Sequence, residues 1–131
     1  DFKNFKEKYD PDAIIFTFTP SLTQKKISEH HTHVSVDGEK IKTVHIKSKS
    51  SDNDLGMAGF FWIKMGSIIE NLTDVPFSLK NEMIIDHFFQ YCVEKGLDIV
   101  RYDLDQYIHL GTPDEFLEYK YWMSHKNVVT Q

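Results

Sequence analysis

The chain has 131 residues, 40% hydrophobic and 14% aromatic, a profile that suits one folded domain with a sizeable core and excludes a disordered segment. Its formal net charge is −5 with no long lysine or arginine run, which argues against a phosphate-backbone footprint and so against nucleic acid as a partner. No apolar run approaches the roughly 20 residues of a membrane span, and the charged residues 1–10 lack a signal-peptide pattern, so no membrane is expected.

Residues 1–9 place Phe2, Phe5 and Tyr9 at helical spacing, as in the last turns of a helix, and Asp10-Pro11-Asp12 ends it. Residues 13–18 form a short, nearly continuous apolar and β-branched run that fits an interior strand covered on both faces. A helix end followed at once by a buried-type strand reads as a domain entered partway through, and that strand needs a neighbour from elsewhere. Residues 33–36 and 41–46 alternate about Asp37-Gly38, a hairpin with its φ > 0 pair at those two residues. Residues 48–54 are loop-like. Residues 55–63 return to strand character, with Gly56 and Gly59 where something packs closely on the backbone.

Residues 67–72 read as a short helix. Met83, Ile84, Ile85, Phe88, Phe89 and Cys92 make one helical face, with Gly96 as the C-cap. Cys92, the one cysteine, is expected as a buried thiol in a reducing cytoplasm. Residues 98–104 and 106–110 are two more strand candidates. Thr112-Pro113-Asp114-Glu115 starts a helix: Thr112 caps, Pro113 takes the first position and Glu115 completes a capping box. Phe116, Tyr119 and Met123 then follow at helical spacing. Strands separated by helices, with a hairpin between them, give an α/β class with a mixed β-sheet flanked by helices.

In order, residues 12–18 (DAIIFTF), 46–50 (IKSKS), 57–62 (MAGFFW), 81–86 (NEMIID) and 107–115 (YIHLGTPDE) resemble the successive motifs of the second half of the sugar-phosphate nucleotidyltransferase family. The family analogues are a "DAvvft" strand, an "EKP" lysine loop, an "a-x-G-x-y-x-F" strand, "GE-x-x-x-t-D" and "w-x-D-x-GTPeel". The resemblance implies part of a nucleotidyltransferase Rossmann-like fold. Residues 1–131 would be its C-terminal part, without the N-terminal nucleotide-binding part. It implies that Lys49 grips a sugar phosphate, Gly59 lets the sugar approach the backbone and Glu82 binds sugar hydroxyls. The residue types suit those tasks: a compact cation for a phosphate oxygen, a missing Cβ, and a carboxylate that accepts from vicinal hydroxyls. It implies Mg²⁺, a sugar 1-phosphate and a nucleoside triphosphate for the full enzyme, in nucleotide-sugar or polysaccharide biosynthesis. The family's Gly-rich nucleotide loop has no match in these residues, so the chain alone is expected to be inactive. A family aspartate that often binds metal falls at His109, and Mg²⁺ prefers oxygen ligands. Gly111-Thr112, ahead of a helix N-terminus, can bind an anion, though capping is the plainer role.

The leading alternative is a nucleotidyltransferase-like module that binds a sugar phosphate or mediates assembly without catalysis. A third is a metal-binding module built on His31 and His33, which share one face if the strand begins there. The plain reading of His30, His31 and His33 is surface or loop, and of Phe60, Phe61 and Trp62, core. Oligomeric state stays open, with sheet edges left by a missing half favouring a homo-oligomer.

Overall fold

The computed structural model describes residues 1–72 and 85–126. Helix α1 (Phe2–Tyr9) is capped by Asp1, whose carboxylate accepts from the Lys3 amide, and leads into β1 (Ala13–Phe18). Helix α2 (Leu22–Lys26) and a 3₁₀ turn (Ser28–His30) precede the hairpin β2 (His33–Asp37) and β3 (Lys40–His45). Then come β4 (Leu55–Ile63), α3 (Met65–Leu72), α4 (Ile85–Glu94), β5 (Ile99–Asp103) and α5 (Pro113–His125).

The α/β class and mixed sheet are as the sequence implies. β1 runs parallel to β5 and antiparallel to β4, so the apolar run at residues 13–18 is an interior strand. One of its faces (Ala13, Ile15) joins the main core, and on the other Phe16 packs against Phe2 and Tyr102. Its neighbours both come from this chain. Strand order is β1-β4-β2-β3-β5, and the ring closes where Lys40 pairs with Val100. Every strand therefore has two partners among the described residues, although β3 meets β5 at a single residue pair and β2 meets β4 at two.

The core sits between the sheet and α4. Phe88, Phe89 and Cys92 of α4 pack with Ala13, Ile15, Val34, Ile41, Val44, Ile68 and Ile99. Helix α4 ends in a Schellman arrangement, with the Leu97 amide donating to the Cys92 carbonyl (3.1 Å) and the Gly96 amide to that of Val93 (3.0 Å). Met83 and Ile84, read as part of the same face, lie outside the described residues.

Three local expectations change. The hairpin turn is Gly38-Glu39 rather than Asp37-Gly38. Asp37 pairs with Lys40 and only Gly38 takes positive φ (58°), as when glycine holds the first central position. Residues 106–110 form no strand; the segment is a loop crossing over β4. Helix α5 buries only Glu115, while Phe116, Leu117, Tyr121 and Trp122 are each at least half exposed. Phe116 and Met123 therefore form no buried seam, since α5 meets the rest of the described fold chiefly at α2.

Candidate functional site

β4 is interrupted by a bulge. Between Ile15↔Phe61 and Thr17↔Met57 the β1 strand advances two residues and β4 four, and Gly59 within the extra segment has φ +78°. That conformation favours glycine. Nothing lies within 4 Å of where a Gly59 Cβ would be, so the bulge leaves bare backbone facing open space. A cavity of about 430 Å³ adjoins it, lined also by Phe18, His31, Thr32, Lys47, Asp86, His109, Gly111 and Thr112.

The loop after β5 forms the opposite wall. The Tyr107 hydroxyl donates to the Ala58 carbonyl (2.9 Å) and its ring lies 4.5 Å from that of Phe18, which pins the loop to β4. Two residues on, the His109 ring lies against Gly111, where a Cβ would come within 2.3 Å of Cε1; only glycine admits that approach.

His109 points at the first turn of α5. Its Nδ1 is 3.0 Å from each carboxylate oxygen of Glu115. Glu115 also accepts from Gln24 Nε2 (3.2 Å) and Thr112 Oγ1 (3.0 Å), and its own amide donates to Thr112 Oγ1 (3.3 Å). Thr112 is thus the N-cap expected. The carboxylate of the supposed capping box turns inward to Gln24, His109 and His31, and Glu115 is only 3% exposed. Burial alone would raise its pKa; the bonds from His109, Gln24 and Thr112 outweigh that and hold it below the usual range.

His31 completes the cluster, with Nε2 3.3 Å from Glu115 Oε1 and its ring edge-on to His109 at 4.9 Å between centroids. Its pKa is lowered, chiefly by burial, which the Glu115 charge only partly offsets. His33, by contrast, is 3% exposed, faces Asp54 (Nε2–Oδ2 3.4 Å) and stacks on His45. The two histidines read as sharing a face therefore serve different surroundings, and of the three read as surface or loop only His30 is exposed.

The cavity thus gathers Gly59, His109, Gly111 and Thr112 from among the expected site residues. Lys49 is exposed and outside its lining; Lys47 is the lysine in the lining, at a left-handed φ of 44°. Glu82 lies outside the described residues. Phe60 is 59% exposed and Phe61 37%, so neither is the core residue expected. Asp86, in the first turn of α4, accepts from Thr32 Oγ1 at the cavity wall. The motif resemblance over residues 81–86 gives Asp86 no role. Glu115 was legible only as a helix cap, because its spacing from Thr112 accounts for it without any ligand.

No protein-family profile and no curated protein matches the chain. Solved structures do. A protein described as a glucose-1-phosphate thymidylyltransferase from Bacillus anthracis, in complex with sucrose, superposes with TM-score 0.65 at 11% identity, covering 92% of this chain and 47% of that one. The fold is that of the sugar-phosphate nucleotidyltransferases. A nucleoside-diphosphate-sugar pyrophosphorylase from Vibrio cholerae gives TM-score 0.57 at 17% identity over 84% of this chain and 46% of that one. A CMP:2-keto-3-deoxy-manno-octonic acid synthetase complexed with CTP gives 0.60 at 11%, over 95% and 54%. The chain spans about half the length of these nucleotidyltransferase-fold proteins.

The donors at His109 do not suit the Mg²⁺ that the resemblance implies. Mg²⁺ takes near-octahedral oxygen ligands, whereas here two imidazoles flank one carboxylate already holding three hydrogen-bond partners. No helix in the described residues is long and apolar enough to cross a membrane.

Proposed function

We propose that the chain is the sugar-phosphate-binding part of a nucleotidyltransferase. The observation that carries this reading is the cavity at the β4 bulge. It brings the bare backbone of Gly59, the cation of Lys47 and the Gly111-Thr112 entry to α5 onto one hollow, in a fold whose solved relatives are described as enzymes of nucleotides and sugar phosphates. A phosphate in that hollow would meet an ammonium at one wall and a helix N-terminus at another, both of which favour an anion. A sugar ring could lie against the bulge because no Cβ intrudes.

In the whole protein the partners are a sugar 1-phosphate and a nucleoside triphosphate. The sugar phosphate oxygen attacks the α-phosphorus, its bond to that phosphorus forms, and pyrophosphate leaves with the electrons of the broken phosphoanhydride. Within these residues Lys47 orients the attacking phosphate and the bulge orients the sugar, so the contribution is positioning. Lys49, two residues on and exposed, serves the approach of the same anion, and Glu82 its hydroxyls. The 131 residues alone bind without turnover, because no Gly-rich nucleotide loop is among them.

The test is calorimetry of the chain with glucose 1-phosphate, with glucose and inorganic phosphate as controls, and pyrophosphate release assayed with each nucleoside triphosphate. Binding of the sugar phosphate that weakens about tenfold or more in Lys47→Ala is expected, with no pyrophosphate. Equal binding by Lys47→Ala, or no binding by the parent chain, refutes the reading.

A second reading, a non-catalytic module for assembly, is favoured by the exposed apolar side chains of α5. It predicts that a longer natural chain carrying these residues also releases no pyrophosphate.

A further inference from the structure

We infer that His31, His109 and Glu115 form a binding site for a transition-metal ion of the zinc class, with its fourth position open to the cavity at the β4 bulge. The three ligands come from separate places: the end of the 3₁₀ turn, the loop after β5, and the first turn of α5. No local sequence pattern forces them together.

Their geometry is close to a coordination shell. Zinc–nitrogen and zinc–oxygen bonds of about 2.0–2.1 Å in a tetrahedron put neighbouring ligand atoms about 3.4 Å apart. Here Glu115 Oε1 is 3.0 Å from His109 Nδ1 and 3.3 Å from His31 Nε2, and one donor atom from each residue lies within 4.8 Å of the others. The two Glu115 separations already match that edge, and bringing the two imidazole donors, no more than 4.8 Å apart, toward it centres an ion among the three.

His31 supplies the independent sign. Its Nε2 is buried from solvent yet makes no hydrogen bond in the fold. Its polar neighbour is Glu115 Oε1 at 3.3 Å, which it meets without hydrogen-bond geometry; a buried polar atom left so is uncommon, and an ion between the two would satisfy both. The remaining oxygen of Glu115 stays held by Thr112 Oγ1, and Gln24 Nε2 buttresses the ligating one, the outer-shell support that metal-bound carboxylates have. Two imidazoles and a carboxylate suit zinc, cobalt or nickel and not Mg²⁺.

Binding is written with its proton. The ion takes the place of the Nδ1–H that His109 turns toward Glu115; the neutral ring keeps its single proton by carrying it on Nε2, so both imidazoles ligate in their neutral form. His31 and His109 both line the cavity, so the fourth position is taken by water or by an oxygen of a bound anion. The site stands independently of the sugar-phosphate reading, since it needs no carbohydrate to form.

The experiment uses the untagged chain, stripped with a chelator and titrated with Co²⁺ by visible absorption and with Zn²⁺ by calorimetry. The expected result is one ion per chain, the intense visible bands of tetrahedral cobalt, and displacement by Zn²⁺ but not by excess Mg²⁺. His31→Ala and His109→Ala each weaken uptake about a hundredfold or more, and Gln24→Ala about tenfold, with far-ultraviolet circular dichroism unchanged. His30→Ala, at the same cavity but outside the cluster, leaves uptake as it was. Absence of cobalt bands in the parent chain overturns the site, as does uptake that the His31 and His109 variants leave intact. Should His109→Ala unfold, His109→Gln gives the same comparison with a ring-sized polar substitute.

Discussion

His109 Nδ1 sits 3.0 Å from both carboxylate oxygens of Glu115, a residue that is itself the third position of α5 and 3% exposed. One carboxylate thereby joins the loop after β5, helix α2 through Gln24, and the start of α5. Elements that share little apolar contact are held together by a polar knot, and the cavity wall depends on it.

Glu115→Ala should therefore destabilise the chain by about 1–3 kcal/mol, because it strips partners from Gln24, Thr112 and His109 at once. Urea unfolding followed by circular dichroism measures it. A loss no larger than that of the exposed Asp114→Ala would mean the knot is dispensable.

Gly56 and Gly59 lie three residues apart in β4 and should fail for different reasons. A Cβ at Gly56 would come within 2.3 Å of the Phe18 ring, so Gly56→Ala must displace a buried aromatic and cost about 1–3 kcal/mol. Gly59→Ala meets no atom but is held at φ +78°, for which about 1–2 kcal/mol of backbone strain is expected. Thermal melts of the two variants check stability. Binding distinguishes them further, since only the Gly59 variant places a methyl group in the sugar's path.

Phe89 is wholly buried and its ring packs edge-on to Phe61 and Phe88. Phe89→Ala should cost about 3–5 kcal/mol, enough to unfold a marginal domain. Loss of the cooperative melting transition at room temperature is the readout; a melt near that of the parent would contradict this account of the core.

Burial, helped by Asp12, pushes the Cys92 thiol up to about 11. A folded pKa raised above the unfolded one favours the protonated thiol in the fold. Its stabilising contribution is thus full below the unfolded value of roughly 8.5–9 and is lost as pH rises through about 11. The melting temperature should fall on the alkaline side from about pH 9, and Cys92→Val should flatten that decline. In native buffer a disulfide reagent should label Cys92 only as fast as the chain opens, and at once in urea. Rapid labelling of the folded chain would show that the thiol is not enclosed.

The fold was legible where one physical rule dominated. Residues 13–18 are apolar on both faces because both faces are covered, and Gly96 stands where α4 ends because a Schellman turn needs it. Residues 106–110 read as a strand because their apolar side chains mimic alternation, yet Ile108 and Leu110 are 62% and 49% exposed. Tyr107 is held by its hydroxyl and not by a backbone ladder. The site was legible in part. Gly59 and His109 came from motif order and do line the cavity, as does Thr112, whose cap is in place. His31 and Glu115 were hidden because the two partners lie 84 positions apart in the chain, and a helix-cap explanation already accounted for Glu115. Lys47 and Lys49 alternate in sequence, and the spacing does not foretell that Lys47, at a left-handed φ of 44°, is the one in the cavity lining.

The most direct measurement of the central claim is backbone-amide NMR of the labelled chain titrated with glucose 1-phosphate, then with glucose alone. The account predicts saturable shifts at Lys47, Gly59, Gly111 and Thr112 with the phosphorylated sugar, and weaker ones with the bare sugar. Shifts that gather instead on α1 and the Gly38 turn, or that never appear, would contradict it.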